Sequence, residues 1–159
     1  MTILTLIAPV SKNYAIEDFC ESICKKPQNL KTVLDIVGNS PVLMGKRTYE
    51  KFGNLFPGEQ ILFAPNAVSR FNRIPTSHSI KDAMNYFYIA PNLFFLGEED
   101  VYLATINRSQ RLEMIRSDTC SSGPITLDLN PWRLVMEKWK KENPYFSHLT
   151  YERKQEEDK

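Results

Sequence analysis

Apolar positions fall along the chain in two rhythms. Short runs rich in Ile, Leu, Val and Phe occupy 3–9, 41–44, 60–64, 92–96 and 112–116, each the length of a buried strand. Between them the apolar residues return at helical spacing. Pro27 suits the first position of a helix that continues through Leu30, Val33, Leu34 and Val37 and stops at Gly38. A second helical turn opens after Gly45. A third begins at Ser79, with Asp82 three residues on in a capping-box-like start for Ala83-Met84-Asn85-Tyr86-Phe87. A fourth opens at Gly97 with Glu98, Glu99 and Asp100 in its first turn. The rhythm then changes. Positions 132–139 and 145–153 read as longer strands joined by Lys140-Lys141-Glu142-Asn143-Pro144, a link short enough to make an antiparallel hairpin. The pattern predicts an α/β fold: one mainly parallel sheet, closed by an antiparallel C-terminal hairpin and flanked by helices.

The chain has 159 residues, 42% of them hydrophobic, enough for the core of a single domain over 1–153 with a polar tail at 154–159. A net charge of +1 argues against nucleic acid or an anionic membrane surface as a partner. No apolar run approaches the ~20 residues of a membrane span, and the N-terminus lacks the basic segment of a signal peptide. Three cysteines cannot all pair with one another, which points to reduced thiols and a cytoplasmic location. Cys20 and Cys24 lie four apart on what could be one helical face, with no histidine nearby, so they read as two thiols and no metal site is expected. His78 and His148 are distant in sequence, and His148 lies in an alternating strand where it would decorate one sheet face. Ser121-Ser122-Gly123 reads as a loop, because no G-x-S-x-G frame surrounds it.

The most informative stretch runs from Pro41 to Gly53, Pro-Val-Leu-Met-Gly-Lys-Arg-Thr-Tyr-Glu-Lys-Phe-Gly. A buried strand delivers a helix N-terminus with Lys46 and Arg47 beside it, an arrangement that suits an anionic ligand. These thirteen residues resemble the strand–helix signature of dihydrofolate reductases. The likeness extends over nearly the whole chain. Leu4-Thr5-Leu6-Ile7-Ala8 resembles the opening strand, and Pro27, Leu30 and Pro41 follow at the family's spacing. Phe94-Phe95-Leu96-Gly97, Val101-Tyr102 and Leu112-Glu113-Met114-Ile115 resemble the later strand, helix and strand on the cofactor side. Trp132 and Asn143-Pro144-Tyr145 resemble the closing hairpin. The resemblance implies a dihydrofolate-reductase-like fold with a sheet of about eight strands and about four helices. It also implies NADPH contacts at Lys46, Arg47, Thr48, Gly97 and Tyr102, and substrate contacts at Ile7, Asn29 and Val33.

The same resemblance shows where the chain departs from the family. Asn29 stands at the place of the buried acid that binds the pterin and favours its protonation, and an amide supplies no acid. Pro9 stands where a backbone N–H would help to hold the nicotinamide, and proline has none. The loop's proline–tryptophan pair is Ile23-Cys24, and a glycine near the nicotinamide is Glu17. Glu59 replaces the arginine that clamps the substrate's carboxylate, Ile115 replaces the threonine that supports the acid, and Ala64-Pro65 replaces hydroxyl residues near the adenosine phosphate. At the diphosphate site the family's Gly-Gly pair, joined by a cis peptide, becomes Gly97-Glu98, followed by Glu99 and Asp100. A carboxylate ~6 Å from a phosphate opposes it by roughly 3 kcal/mol at an effective dielectric near 20. The same acids stabilise their own helix. A trans Gly97–Glu98 bond and weak or absent NADPH binding are therefore expected.

Taken together, these residues imply a homologue whose reduction of dihydrofolate is lost or strongly reduced and which serves as a binding protein, with a protein partner of unspecified identity. Two alternatives stand beside it. One is a divergent but working NADPH-dependent reductase with another acid, such as Glu17. The other is a structural component that uses the fold alone.

Overall fold

The computed structural model describes residues 2–63, 76–77, 79–86, 89–97 and 99–155. Several readings fall on other positions: Ala64-Pro65, His78, Phe87, the Gly97–Glu98 peptide bond and tail residues 156–159 lie outside the described residues. One sheet of eight strands carries the fold, in the order β4-β3-β2-β5-β1-β6-β8-β7. The strands are β1 (Ile3–Val10), β2 (Val42–Gly45), β3 (Gln60–Phe63), β4 (Thr76–Ser77), β5 (Asn92–Leu96), β6 (Arg111–Ser117), β7 (Trp132–Trp139) and β8 (Phe146–Arg153). The first six pair in parallel. Both β6–β8 and β7–β8 are antiparallel, the latter with an irregularity between Leu134 and Met136.

Among the described residues four α-helices connect the strands: α1 (Pro27–Val37), α2 (Lys46–Phe52), α3 (Ile80–Tyr86) and α4 (Glu99–Thr105). Local chemistry sets their ends. Pro27, which lacks an N–H, opens α1 at a position where an N–H would have no helical partner, and Gly38 closes it at φ 57°, a conformation suited to glycine. Ser79 Oγ accepts the Asp82 N–H at 3.1 Å, capping α3 as its sequence predicts. A single turn of π-helix, Cys20–Cys24, precedes α1.

Strand alternation sends the core to both faces of the sheet. On one face Leu4, Leu6, Leu43, Phe95, Leu112 and Met114 pack with Ala83 of α3 and Val101 and Tyr102 of α4. On the other, Ile7, Met44, Phe94, Leu96 and Ile115 pack with Val33 and Val37 of α1 and with Phe19, Ile23 and Cys24. The product is a helix–sheet–helix sandwich. Among the described residues no helix is long and apolar enough to cross a membrane.

Candidate functional site

The connections from β2 and β5, which are neighbours in the sheet, leave in opposite directions. From β2 the chain passes through α2 to β3, and from β5 it passes through α4 to β6 on the far side of β1. Open parallel sheets bind ligands in the crevice beyond the carboxyl ends of such strands. Two glycines meet there. Gly97 has φ 133°, and a Cβ on it would lie 3.0 Å from the Gly45 backbone nitrogen and 3.5 Å from Thr48 Oγ1. Only bare backbone lets the two strand ends approach this closely.

The residues expected to hold a cofactor surround this crevice unevenly. Lys46 and Arg47 are exposed at the start of α2, whereas Thr48 is fully buried behind them. Lys46 Nζ lies 3.9 Å from Glu50, and Arg47 Nη1 lies 2.6 Å from Asp18 Oδ2, on the segment that leads into the π-turn. Across the crevice Glu99 and Asp100 form the first turn of α4, and Asp100 Oδ1 accepts the Val101 N–H at 2.8 Å. A small cavity of about 240 Å³ remains between Glu17, Asp18, Arg47 and Glu99. Tyr102 is 7% exposed in the core beneath α4, and burial, then the charge of Asp128, pushes its hydroxyl up to about 12.

On the α1 side the chain closes over itself. Ile7, Asn29 and Val33, the expected substrate positions, are 2%, 0% and 0% exposed. Phe19 and Ile23, at 1% and 0%, pack into the same cluster as Ile7 and Val33. Asn29 does not cap its helix, although an asparagine in the first turn suggests that role: Lys26 holds the cap position, without a side-chain bond. Instead Asn29 Nδ2 donates to the Ser22 carbonyl at 2.8 Å, and Oδ1 accepts from Asn143 Nδ2 at 2.7 Å. Both ends of the amide are therefore engaged, and the residue ties the π-turn to the loop before β8. Burial, followed by the Cys20 thiol and the Asp18 charge, raises the Cys24 thiol to about 12. Among the described residues no cluster of His, Cys, Asp or Glu is suited to hold a metal.

Sequence reasoning missed two parts of this geometry. The burial of Phe19-Cys20 and Ile23-Cys24 left a single trace in the sequence, two apolar pairs one helical turn apart. The Arg47–Asp18 pair spans 29 positions and carried no local signal.

An open α/β sheet with a glycine-paired crevice at its switch point defines a protein of the class that places ligands beyond the ends of parallel strands. The dihydrofolate reductase family model matches residues 3–153, so the chain belongs to that family. Among solved structures the chain is similar to a dihydrofolate reductase from Enterococcus faecalis complexed with NADP(H) and RAB-propyl. The TM-score is 0.77 and the identity 18%, over 96% of this chain and 97% of that one, a likeness of fold. No curated protein gives a significant sequence match.

Proposed function

We propose that this family member has lost, or keeps only at a strongly reduced level, the NADPH-dependent reduction of dihydrofolate, and serves as a binding protein. The observation that carries this reading is the buried substrate side: Ile7 and Val33 are 2% and 0% exposed and belong to one core cluster with the chain's own Phe19 and Ile23. The acid position supports it. Asn29 can hydrogen-bond but cannot supply a proton, and both of its polar atoms already have protein partners.

The crevice fits a dinucleotide diphosphate poorly. A phosphate would have to approach the carboxylates of Glu99 and Asp100 and compete with Asp18 for Arg47. Binding of NADPH is accordingly weak or absent in this reading. The one observation that favours a working reductase is Glu17, whose position on the small cavity beside Arg47 puts a carboxylate at the crevice.

Two measurements on the purified chain test the reading. NADPH consumption with dihydrofolate at neutral pH should stay at background, and a fluorescence titration should show weak or no NADPH binding. The double variant Asp18→Asn with Glu99→Gln should raise NADPH affinity severalfold at low salt, and the gain should shrink as salt rises. Robust turnover by the unaltered chain would refute the proposal. No gain in the double variant would move the block to Pro9 and the Phe19–Cys24 segment.

A further inference from the structure

A second cavity, of about 460 Å³, lies on the hairpin side of α1, between that helix and strands β6, β8 and β7. Volumes of this order hold small organic ligands. It shares none of the crevice residues, but Asn29 and Ile115 of the expected substrate side line it. Its wall contains a buried ionisable pair. Register places Ile115 opposite His148 and Glu113 opposite Thr150, so all four side chains share one sheet face. His148 Nε2 lies 2.5 Å from Glu113 Oε2, and the Thr150 hydroxyl donates to the same oxygen at 2.7 Å. The side chains of Glu113 and His148 are 10% and 16% exposed.

Both of these contacts go to one carboxylate oxygen. Among the described residues Glu113 Oε1 and His148 Nδ1 have no hydrogen-bond partner, and both residues line the cavity. Taking a carboxylate this far from water is costly unless its lone pairs are used. A pair held on one side and open on the other therefore presents an acceptor and a ring nitrogen to whatever enters. Phe94 and Phe146 add apolar wall. Lys138, across from His148 in the β7–β8 register, and Lys140 add positive charge at the exposed rim.

We infer that this cavity binds a small amphipathic anion. The ligand has an aromatic or aliphatic body, a hydroxyl or amine that hydrogen-bonds the Glu113–His148 pair, and a carboxylate or phosphate that meets Lys138 and Lys140. The body packs on Phe94 and Phe146. The inference stands apart from the cofactor crevice, with which the cavity shares no residue, and it meets the expected substrate side at Asn29 and Ile115.

The test uses the full chain at neutral pH and para-hydroxyphenylacetate as the probe, followed by isothermal titration and ligand-observed NMR, with uncharged para-cresol as comparison. Saturable binding of the anion, tighter than that of the cresol, is expected. Glu113→Gln and His148→Ala should each weaken it about tenfold or more, the scale of one hydrogen bond to a charged group. Lys138→Glu with Lys140→Glu should weaken the anion and leave the cresol unchanged. Thr32→Trp fills the space from α1 and should abolish both; Thr32 Oγ1 bonds only the Gln28 carbonyl within its own helix, so the fold survives this change. That variant and the rim lysines decide the matter if the Glu113 or His148 variants unfold. No saturable binding at millimolar probe, or binding that survives Thr32→Trp, would overturn the inference. NADPH affinity reports on the crevice, which shares no residue with this cavity, so the two readings fail separately.

Discussion

Truncating Ile23 to alanine asks whether the segment over the substrate side is a fixed part of the core. Ile23 is 0% exposed and shares a cluster with Ile7, Phe19, Val33 and Ile115. Removing three carbons forfeits about 2.4 kcal/mol of transfer energy at ~0.8 kcal/mol per buried methylene. The cavity left behind adds to this, and core Ile→Ala changes run about 2–5 kcal/mol, so about 3–4 kcal/mol is expected. In a chain of 159 residues each kcal/mol lowers the melting midpoint by about 2–4 °C, which gives a drop of roughly 6–16 °C. Urea unfolding followed by circular dichroism measures the loss, with an unchanged slope showing that stability alone has moved. Glu21→Ala in the same turn is the control. It removes only an exposed pair with Lys25 at 2.8 Å, and should cost less than about 1 kcal/mol. If Ile23→Ala also costs under about 1 kcal/mol, the segment is not packed and the main support for lost catalysis falls with it.

Gly97→Ala should destabilise the fold by about 1–3 kcal/mol in urea titrations, because φ 133° and a Cβ 3.0 Å from the Gly45 nitrogen leave no relaxed place for a methyl group; a neutral result would show that the crevice widens freely. The raised Cys24 and Tyr102 values favour their protonated forms in the folded chain. That stability is complete below pH 9 and is lost as pH rises toward about 12, so thermal midpoints should fall across this window, and less steeply in Cys24→Ala. Ellman's reagent near pH 8 should label exposed Cys120 quickly, and Cys20 and Cys24 only after denaturant is added; a second fast thiol would contradict the packing of the π-turn. Asn29→Asp should recover almost no reductase activity and should cost about 1–3 kcal/mol at neutral pH, with the loss shrinking in acid as the carboxyl takes a proton.

The strands and helices were legible because their apolar periods are undisturbed by function. Pro27 and Gly38 bound α1 where the pattern puts them, and the two hairpin strands lie within a residue of their expected bounds. β4, two residues long, is too short to carry a period. The family's strand–helix turn was legible as a motif, since Gly45, Lys46, Arg47 and Thr48 are contiguous. Other features depend on register. His148 reads as a residue on one sheet face, and it is, but only the β6–β8 pairing brings it to Glu113, 35 positions away. The closure over Ile7 and Val33 was hidden for a different reason. Apolar residues in a loop can rest on a ligand or on the protein, and only the fold shows that Phe19 and Ile23 take the second course.

The amide at position 29 and the closed π-turn are coupled energetically. The Ser22 carbonyl can only accept, so the group facing it at 2.8 Å must be a donor, and Asn29 Nδ2 is one. A carboxylate in that place would set oxygen against oxygen and leave a buried charge with Asn143 as its one protein donor. An acid at this position therefore opposes the closed turn, and the amide stabilises it. The converse also holds. Asn29 is 0% exposed, so an ionised group at the acid position would lack the solvation it needs. On the proposed reading, the amide at position 29 and the buried turn reinforce each other, so Asn29→Asp alone should not restore activity. Opening the Phe19–Cys24 segment would also be needed, and the cost expected for Ile23→Ala sets the scale of that opening at several kcal/mol.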